Sequence, residues 1–160
     1  MIRPLTPTFA ERILKLWQPV TLVLDSLQPV AALVARIYVT CVFFLSGLTK
    51  LSDWETTVSL FTEEYKVPLL SPEVAAAMGT AGELVLPVLL VLGLGGRFAA
   101  LGLFVINIVA VISLSEIAPA AMQQHITWGV LLAGLAVYGC GKYALDQVII
   151  PNMRRSAMRS

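Results

Sequence analysis

Seven ionisable or strongly polar side chains, Arg36, Lys50, Glu83, Asn107, Glu116, His125 and Lys142, sit inside or at the edges of long apolar stretches. A charged group at the centre of a bilayer costs roughly 2.5–3.5 kcal/mol on insertion scales, so such residues usually face a partner or carry function. On an ideal helix Arg36, Thr40, Phe43, Gly47 and Lys50 fall on one stripe, so both cations face the same way. They lie roughly 21 Å apart along the axis at 1.5 Å per residue. In the next stretch Gly79, Glu83, Leu86 and Leu90 share a face. Pro87 cannot donate the amide that would bond to the Glu83 carbonyl, which leaves that oxygen open. These features predict an Arg36–Glu83 pair, with Lys50 as the competing partner. Arginine is favoured because it is permanently charged and grips a carboxylate with two parallel bonds. Such a pair serves either as a latch fixing helix register or as a substrate, quinone or proton site, and the latch is the commoner use.

His125 lies near the end of its stretch, where Glu116, Gln123, Gln124 and Lys50 can approach it, which predicts an outer cluster of Lys50, Glu116 and His125. A histidine in that position is more often solvated or hydrogen-bonded than catalytic. Asn107 falls mid-stretch and suits an interhelical hydrogen bond, worth about 0.6 kcal/mol in membranes. One histidine cannot supply two haem ligands, and Cys41 and Cys140, in different stretches, cannot hold an iron–sulfur cluster. No Ser/His/Asp, phosphate-loop or zinc pattern is present, so no metal site is expected and the cysteines read as buried free thiols. Any redox role then needs a diffusible quinone or a partner's cofactor.

The elements that must carry these residues are four apolar spans, 30–51, 73–93, 97–118 and 124–145, each close to the ~20 residues that cross a bilayer as helix. The 160-residue chain is 58% hydrophobic and only 13% charged, against ~25% charged in a soluble domain, which leaves no room for a separate soluble unit. The fold class is all-α, a transmembrane four-helix bundle. Arg3, Arg12 and Lys15 precede the first span, Arg97 starts the third, and Arg154, Arg155 and Arg159 follow the last. The first loop instead carries Asp53, Glu55, Glu63 and Glu64 against Lys66. The positive-inside rule puts both termini in the cytoplasm.

Thr8 and Glu11 form a capping-box pattern, and Phe9, Ile13, Leu16 and Leu24 repeat at helical spacing with Glu11, Arg12 and Lys15 opposite. This predicts a helix in 1–29, interrupted at Pro19, that either lies in the membrane interface or docks against the cytoplasmic end of the bundle, with the first span starting after Pro29. Trp54, Val58, Phe61 and Tyr65 predict a short amphipathic helix in the first outer loop. Ser71-Pro72-Glu73 reads as a helix start, and Gly93, Gly95 and Gly96 as a tight inner turn. The organisation is then 1–29 interfacial segment, 30–146 membrane domain and 147–160 basic cytoplasmic tail. No basic stripe of the nucleic-acid-binding type is present.

Three motifs in order resemble the DoxX family of small four-helix membrane proteins. They are Arg36-Ile37 with Phe43 and Gly47-Leu48-Thr49-Lys50-Leu51, then Gly82-Glu83-Leu84 with Gly93-Leu94-Gly95-Gly96-Arg97, then Gly141-Lys142-Tyr143-Ala144-Leu145-Asp146. In the last, Ala144 replaces the usual serine. The resemblance implies a bacterial inner-membrane protein in which Arg36, Gly47, Lys50, Glu83, Gly141, Tyr143 and Asp146 are the motif residues. It also implies association with quinone-linked or thiol-redox assemblies, at most as a non-metal subunit of an oxidoreductase complex. The expected function is to bind a quinone or lipid-type ligand, or a partner subunit, through the buried polar site. Rival expectations are a structural or assembly factor tied to metal or stress operons, and a small transporter that works as a homo-oligomer.

Overall fold

A computed structural model describes residues 8–149 and 151. Arg3, Arg154, Arg155 and Arg159, on which part of the charge asymmetry rests, lie outside the described residues. Five helices follow one another: α1 Phe9–Ser52, α2 Trp54–Glu63, α3 Pro72–Leu92, α4 Gly96–Ser113 and α5 Pro119–Tyr138. The Thr8 capping box forms, with the Thr8 amide donating to Glu11 Oε2 at 2.8 Å and the Glu11 amide to Thr8 Oγ1 at 3.4 Å.

The break expected at Pro29 does not occur. The interfacial segment and the first span are one 44-residue helix that runs through Pro19 and Pro29. Each proline removes one backbone hydrogen bond and crowds the carbonyl four residues before it. Breaking the helix there would expose several more backbone groups among apolar residues, with no other partner for them. Keeping the ladder is the smaller loss.

Two other boundaries shift. Helix α4 ends at Ser113 rather than near Ala118, because the chain there pairs with the preceding loop. The Lys66 amide donates to the Ser113 carbonyl at 2.9 Å, and Tyr65 bridges Leu114. Helix α5 begins with Pro119 at its first turn and stops at Tyr138, where Gly139 and Gly141 take positive φ. Lys142, Tyr143 and Asp146 therefore lie in the chain beyond α5 rather than on it. Helix α3 starts as the sequence predicts, with Ser71 capping the Val74 amide and Pro72 in the first turn.

Helix α1 packs on α3, α3 on α4, α4 on α5, and α5 returns to α1, while α2 lies across α1 and α3. The main core holds Val39, Phe43, Leu90, Leu103 and Leu132 with small residues such as Ala99 and Ala100 between them. A second, smaller core under α2 joins Phe61 to Ala75 and Ala76. Helices α1, α3 and α4 are long and apolar enough to cross a membrane. Their outward faces carry Val34, Leu45, Val85, Val88, Leu92 and Ile108, all exposed. A water-soluble surface does not tolerate apolar area of that extent. Where α1 crosses α3, Gly47 lets the backbones meet: a Cβ there would touch Leu84 and the Glu83 Cβ at 3.0–3.1 Å.

Candidate functional site

Two polar centres sit between the helices, one at each end of the α1–α3 contact. At the end where α3 stops, called the inner end for its place beside the Gly93–Gly96 turn, Arg36 is fully buried. Its Nε donates to the Leu90 carbonyl at 3.0 Å and its Nη2 to that of Val91, both in the last turn of α3. Its Nη1 donates to the carbonyls of Cys140 at 3.0 Å and Tyr143 at 3.3 Å. The last carbonyls of a helix lack the amide four residues on; that of Leu90 also accepts from the Gly93 amide at 3.1 Å, and the guanidinium fills the acceptor capacity left there and at Val91. Gly93, at φ 70°, ends α3 here, and a Cβ on it would collide with Ala144 and with the Arg36 guanidinium. The charge of Arg36 is held entirely by backbone.

The same end carries a second clip. The Asp146 carboxylate accepts from the Gly95 and Gly96 amides, both at 3.0 Å, at the start of α4. A carboxylate is favoured there by the helix dipole and the free amides of the first turn. The Leu145 and Asp146 amides donate back to the Leu92 and Gly93 carbonyls at 3.2 and 3.0 Å. Two motifs far apart in sequence, the inner glycine turn and the Gly141–Asp146 stretch, thus close on each other. Tyr143 contributes only its carbonyl, its ring being exposed. Gly141, at φ 77°, lies against Pro29 and Ala32 of α1.

The Arg36–Glu83 pair does not form. Glu83 instead meets the competing cation, with Lys50 Nζ 2.5 Å from Glu83 Oε2. The reason is axial register. Helices α1 and α3 run antiparallel, with Arg36 level with Leu90, Thr40 donating to the Pro87 carbonyl at 3.2 Å, and Gly47 against Glu83 and Leu84. Arg36 is thus almost two turns from the carboxylate, and Lys50 is within reach. Lys50 also donates to Ser46 Oγ at 2.9 Å, and its own carbonyl accepts from the Thr57 hydroxyl of α2.

This outer pair borders an open-sided cleft of about 730 Å³ between α3 and α4, bounded at one end by α2 and the chain after it; wall residues such as Met78, Phe98 and Leu101 stay exposed on its open side. Its wall is apolar, from Met78, Leu86, Leu101, Val105 and Ile106 among others, and the polar groups reaching it are Lys50, Glu83, Tyr65 and Ser113. The Lys50 side chain keeps 21% of its surface exposed and that of Glu83 9%, so the pair is sheltered but not sealed. Tyr65 stacks on Phe61 with ring centres 5.0 Å apart. Burial, and then the neighbouring Glu83 charge, push its phenol above the usual range, so it stays a neutral hydroxyl. Ser113 Oγ is buried with no hydrogen-bond partner among the described residues. An orphan hydroxyl on a cavity wall is costly unless something else satisfies it.

The other sequence-derived candidates stand apart. Asn107 and His125 pair between α4 and α5, His125 Nδ1 lying 2.8 Å from Asn107 Oδ1 while Asn107 Nδ2 donates to the His125 carbonyl at 2.9 Å. Trp128 packs edge-on to the His125 ring at 5.0 Å. Glu116 is exposed in the α4–α5 connection, and Lys142 is exposed beyond α5. Lys50 is committed to Glu83 and His125 to Asn107, so the expected cluster of Lys50, Glu116 and His125 resolves into separate contacts. Sequence reading passed over Tyr65 and Ser113 as site residues. Tyr65 was legible only as the end of an amphipathic stripe, and Ser113 carried no signal beyond a hydroxyl near a span terminus.

The family model for DoxX matches residues 16–116. No curated protein and no solved structure matches the chain. The match covers α1 from its second turn through α4, including both polar centres' α1 and α3 residues, and the apolar outer faces agree with it. The chain belongs to the DoxX family and is a multi-pass membrane protein.

Proposed function

We propose that α1, α3, α4 and α5 form a four-helix transmembrane bundle of the bacterial inner membrane, with both termini cytoplasmic, that holds a quinone or similar long-tailed ligand for a partner subunit. One observation carries the reading: the 730 Å³ apolar cavity has the Lys50–Glu83 pair on its wall. A ligand site of this kind is mostly apolar, with a few convergent polar groups that orient the head. An apolar tail suits the α3–α4 walls. A carbonyl-bearing head would accept from Lys50 Nζ, the Tyr65 hydroxyl or the unpartnered Ser113 hydroxyl. Glu83 aims the Lys50 side chain at the cleft. The electrons for any redox chemistry would come from the partner, and the chain's own residues bind and orient.

Purified protein should carry quinone extractable into organic solvent. Glu83→Gln should lower that content at least tenfold while leaving the fold intact, and a short-chain quinone should raise the melting point of the natural protein but not of the variant. A quinone-free preparation that restores full activity to its partner complex overturns the reading. The structural alternative also has an observation behind it, since Arg36 and Asp146, two motif residues, are saturated by backbone. We assign those residues to holding the bundle, and the ligand role to the outer pair alone.

A further inference from the structure

Helix α1 is twice as long as a membrane requires. Its 44 residues measure about 66 Å, against a hydrocarbon core of about 30 Å. Its contacts with the bundle begin near Pro29 and Ala32, so about 30 Å of helix projects beyond them. That projecting part is not a polar stalk: Leu16, Trp17, Leu24 and Leu27 are each more than half exposed.

The apolar residues follow a rule. Ile13, Trp17, Val20, Leu24 and Leu27 alternate at four and three residues, and the same alternation of exposed positions continues down the span to Leu45 and Leu48. Leu16, Val23 and Val30 widen the stripe on one side. The bundle-facing residues Pro29, Arg36, Phe43 and Lys50 keep the same seven-residue interval on the opposite side of the helix. In the projecting part that opposite side carries Glu11, Lys15 and Asp25. An apolar seam with a period of 3.5 over five heptads, with no charged residue at any of its positions, is the pattern of a left-handed coiled coil.

The geometry points to a second copy of this chain as the occupant of that seam, the two α1 helices pairing in parallel and in register. All copies insert into the membrane in the same sense, so two neighbours related by a twofold axis along the membrane normal necessarily run their α1 helices parallel. Each seam position then meets its own counterpart, apolar on apolar, with the charges turned away from the contact. Burying half of the seam side chains' exposed area in the projecting part of both copies removes on the order of 1,000 Å² from solvent, the lower bound of a specific interface. The membrane surface is the competing occupant. For the projecting part to lie on it, the chain would have to turn by about a right angle, which needs a break in the helix, and α1 has none between Phe9 and Ser52. This inference is independent of what the cavity binds.

The test uses full-length protein in native membranes, in a Cys41→Ser background with the buried Cys140 retained. Copper–phenanthroline should oxidise Leu24→Cys and Leu27→Cys to covalent dimers at least fivefold more than Gln18→Cys and Ser26→Cys, which lie off the seam. Light scattering in mild detergent should give the mass of two chains, and Leu24→Glu should return it to one with an unchanged melting temperature. A single-chain mass with cross-linking equal around the helix overturns the proposal. So does a single-chain mass with spin-labelled lipid quenching a fluorophore at Leu24→Cys, since the membrane surface would then be the occupant.

Discussion

The two ends of the α1–α3 contact solve the same problem in opposite ways. Each buries a cation from α1 near α3. The inner one, Arg36, spends its donors on four backbone carbonyls. The outer one, Lys50, leans on a single carboxylate and a serine hydroxyl, beside an apolar cavity. Backbone acceptors are fixed by the helices that carry them, whereas a side-chain partner can rotate and share a donor with a third group. The inner centre is therefore equipped to hold structure and the outer one to exchange partners. A charged residue in a membrane protein is not by itself a sign of chemistry; what satisfies it decides.

Arg36 offers the sharpest way to break this contrast. Arg36→Met leaves buried carbonyls without donors, at about 1–3 kcal/mol for each one that finds no other partner. The total is comparable with the whole 5–15 kcal/mol that usually separates folded from unfolded chains. The variant should fail to accumulate as folded protein, read by detergent-solubilised size-exclusion chromatography. Arg36→Lys should not rescue it, because one ammonium cannot reach four carbonyls spread around a planar guanidinium. A stable Arg36→Met protein would remove the distinction between the two ends.

The outer pair should behave differently under a double substitution. Lys50→Met strands a nearly buried carboxylate and Glu83→Leu a partly exposed ammonium, so each alone should cost roughly 1–3 kcal/mol, less than for a fully sealed pair. The double variant should recover most of that stability in thermal melts, since an apolar pair of similar volume avoids both desolvation costs. Ligand retention should not recover. Recovery of both would make the pair a latch of the same kind as Arg36.

Helix existence was legible in the sequence because apolar length and turn chemistry are local properties. The Thr8–Glu11 cap, the Ser71–Pro72 start of α3 and the Gly93 turn needed only their own neighbours. Which cation meets Glu83 was not local. The stripe of Arg36 and Lys50 shows that both face α3, but the axial offset between α1 and α3 depends on how α2 and the following loop span the distance between them. Pro29 misled for a related reason: proline often begins a helix, yet here Val30 and the residues before it share one continuous apolar seam. The Asp146 clip joins residues fifty apart, and only the family motifs hinted that those stretches belong together.

The smallest test compares one substitution at two glycines. Gly79 lies mid-helix on the cavity wall, where an added Cβ would meet only the Phe61 ring at 3.7 Å, an ordinary contact. Alanine loses less conformational freedom than glycine on entering a helix, so Gly79→Ala should gain roughly 0.5–1 kcal/mol. That gain should raise the melting point by a few degrees and slightly weaken ligand retention by narrowing the cavity. Gly93→Ala should instead lower the melting point, because φ 70° disfavours any side chain and the new methyl would strike Ala144 and Arg36. Equal responses at the two positions would mean that the outer cavity is packed as tightly as the Arg36 centre, leaving no room there for a ligand.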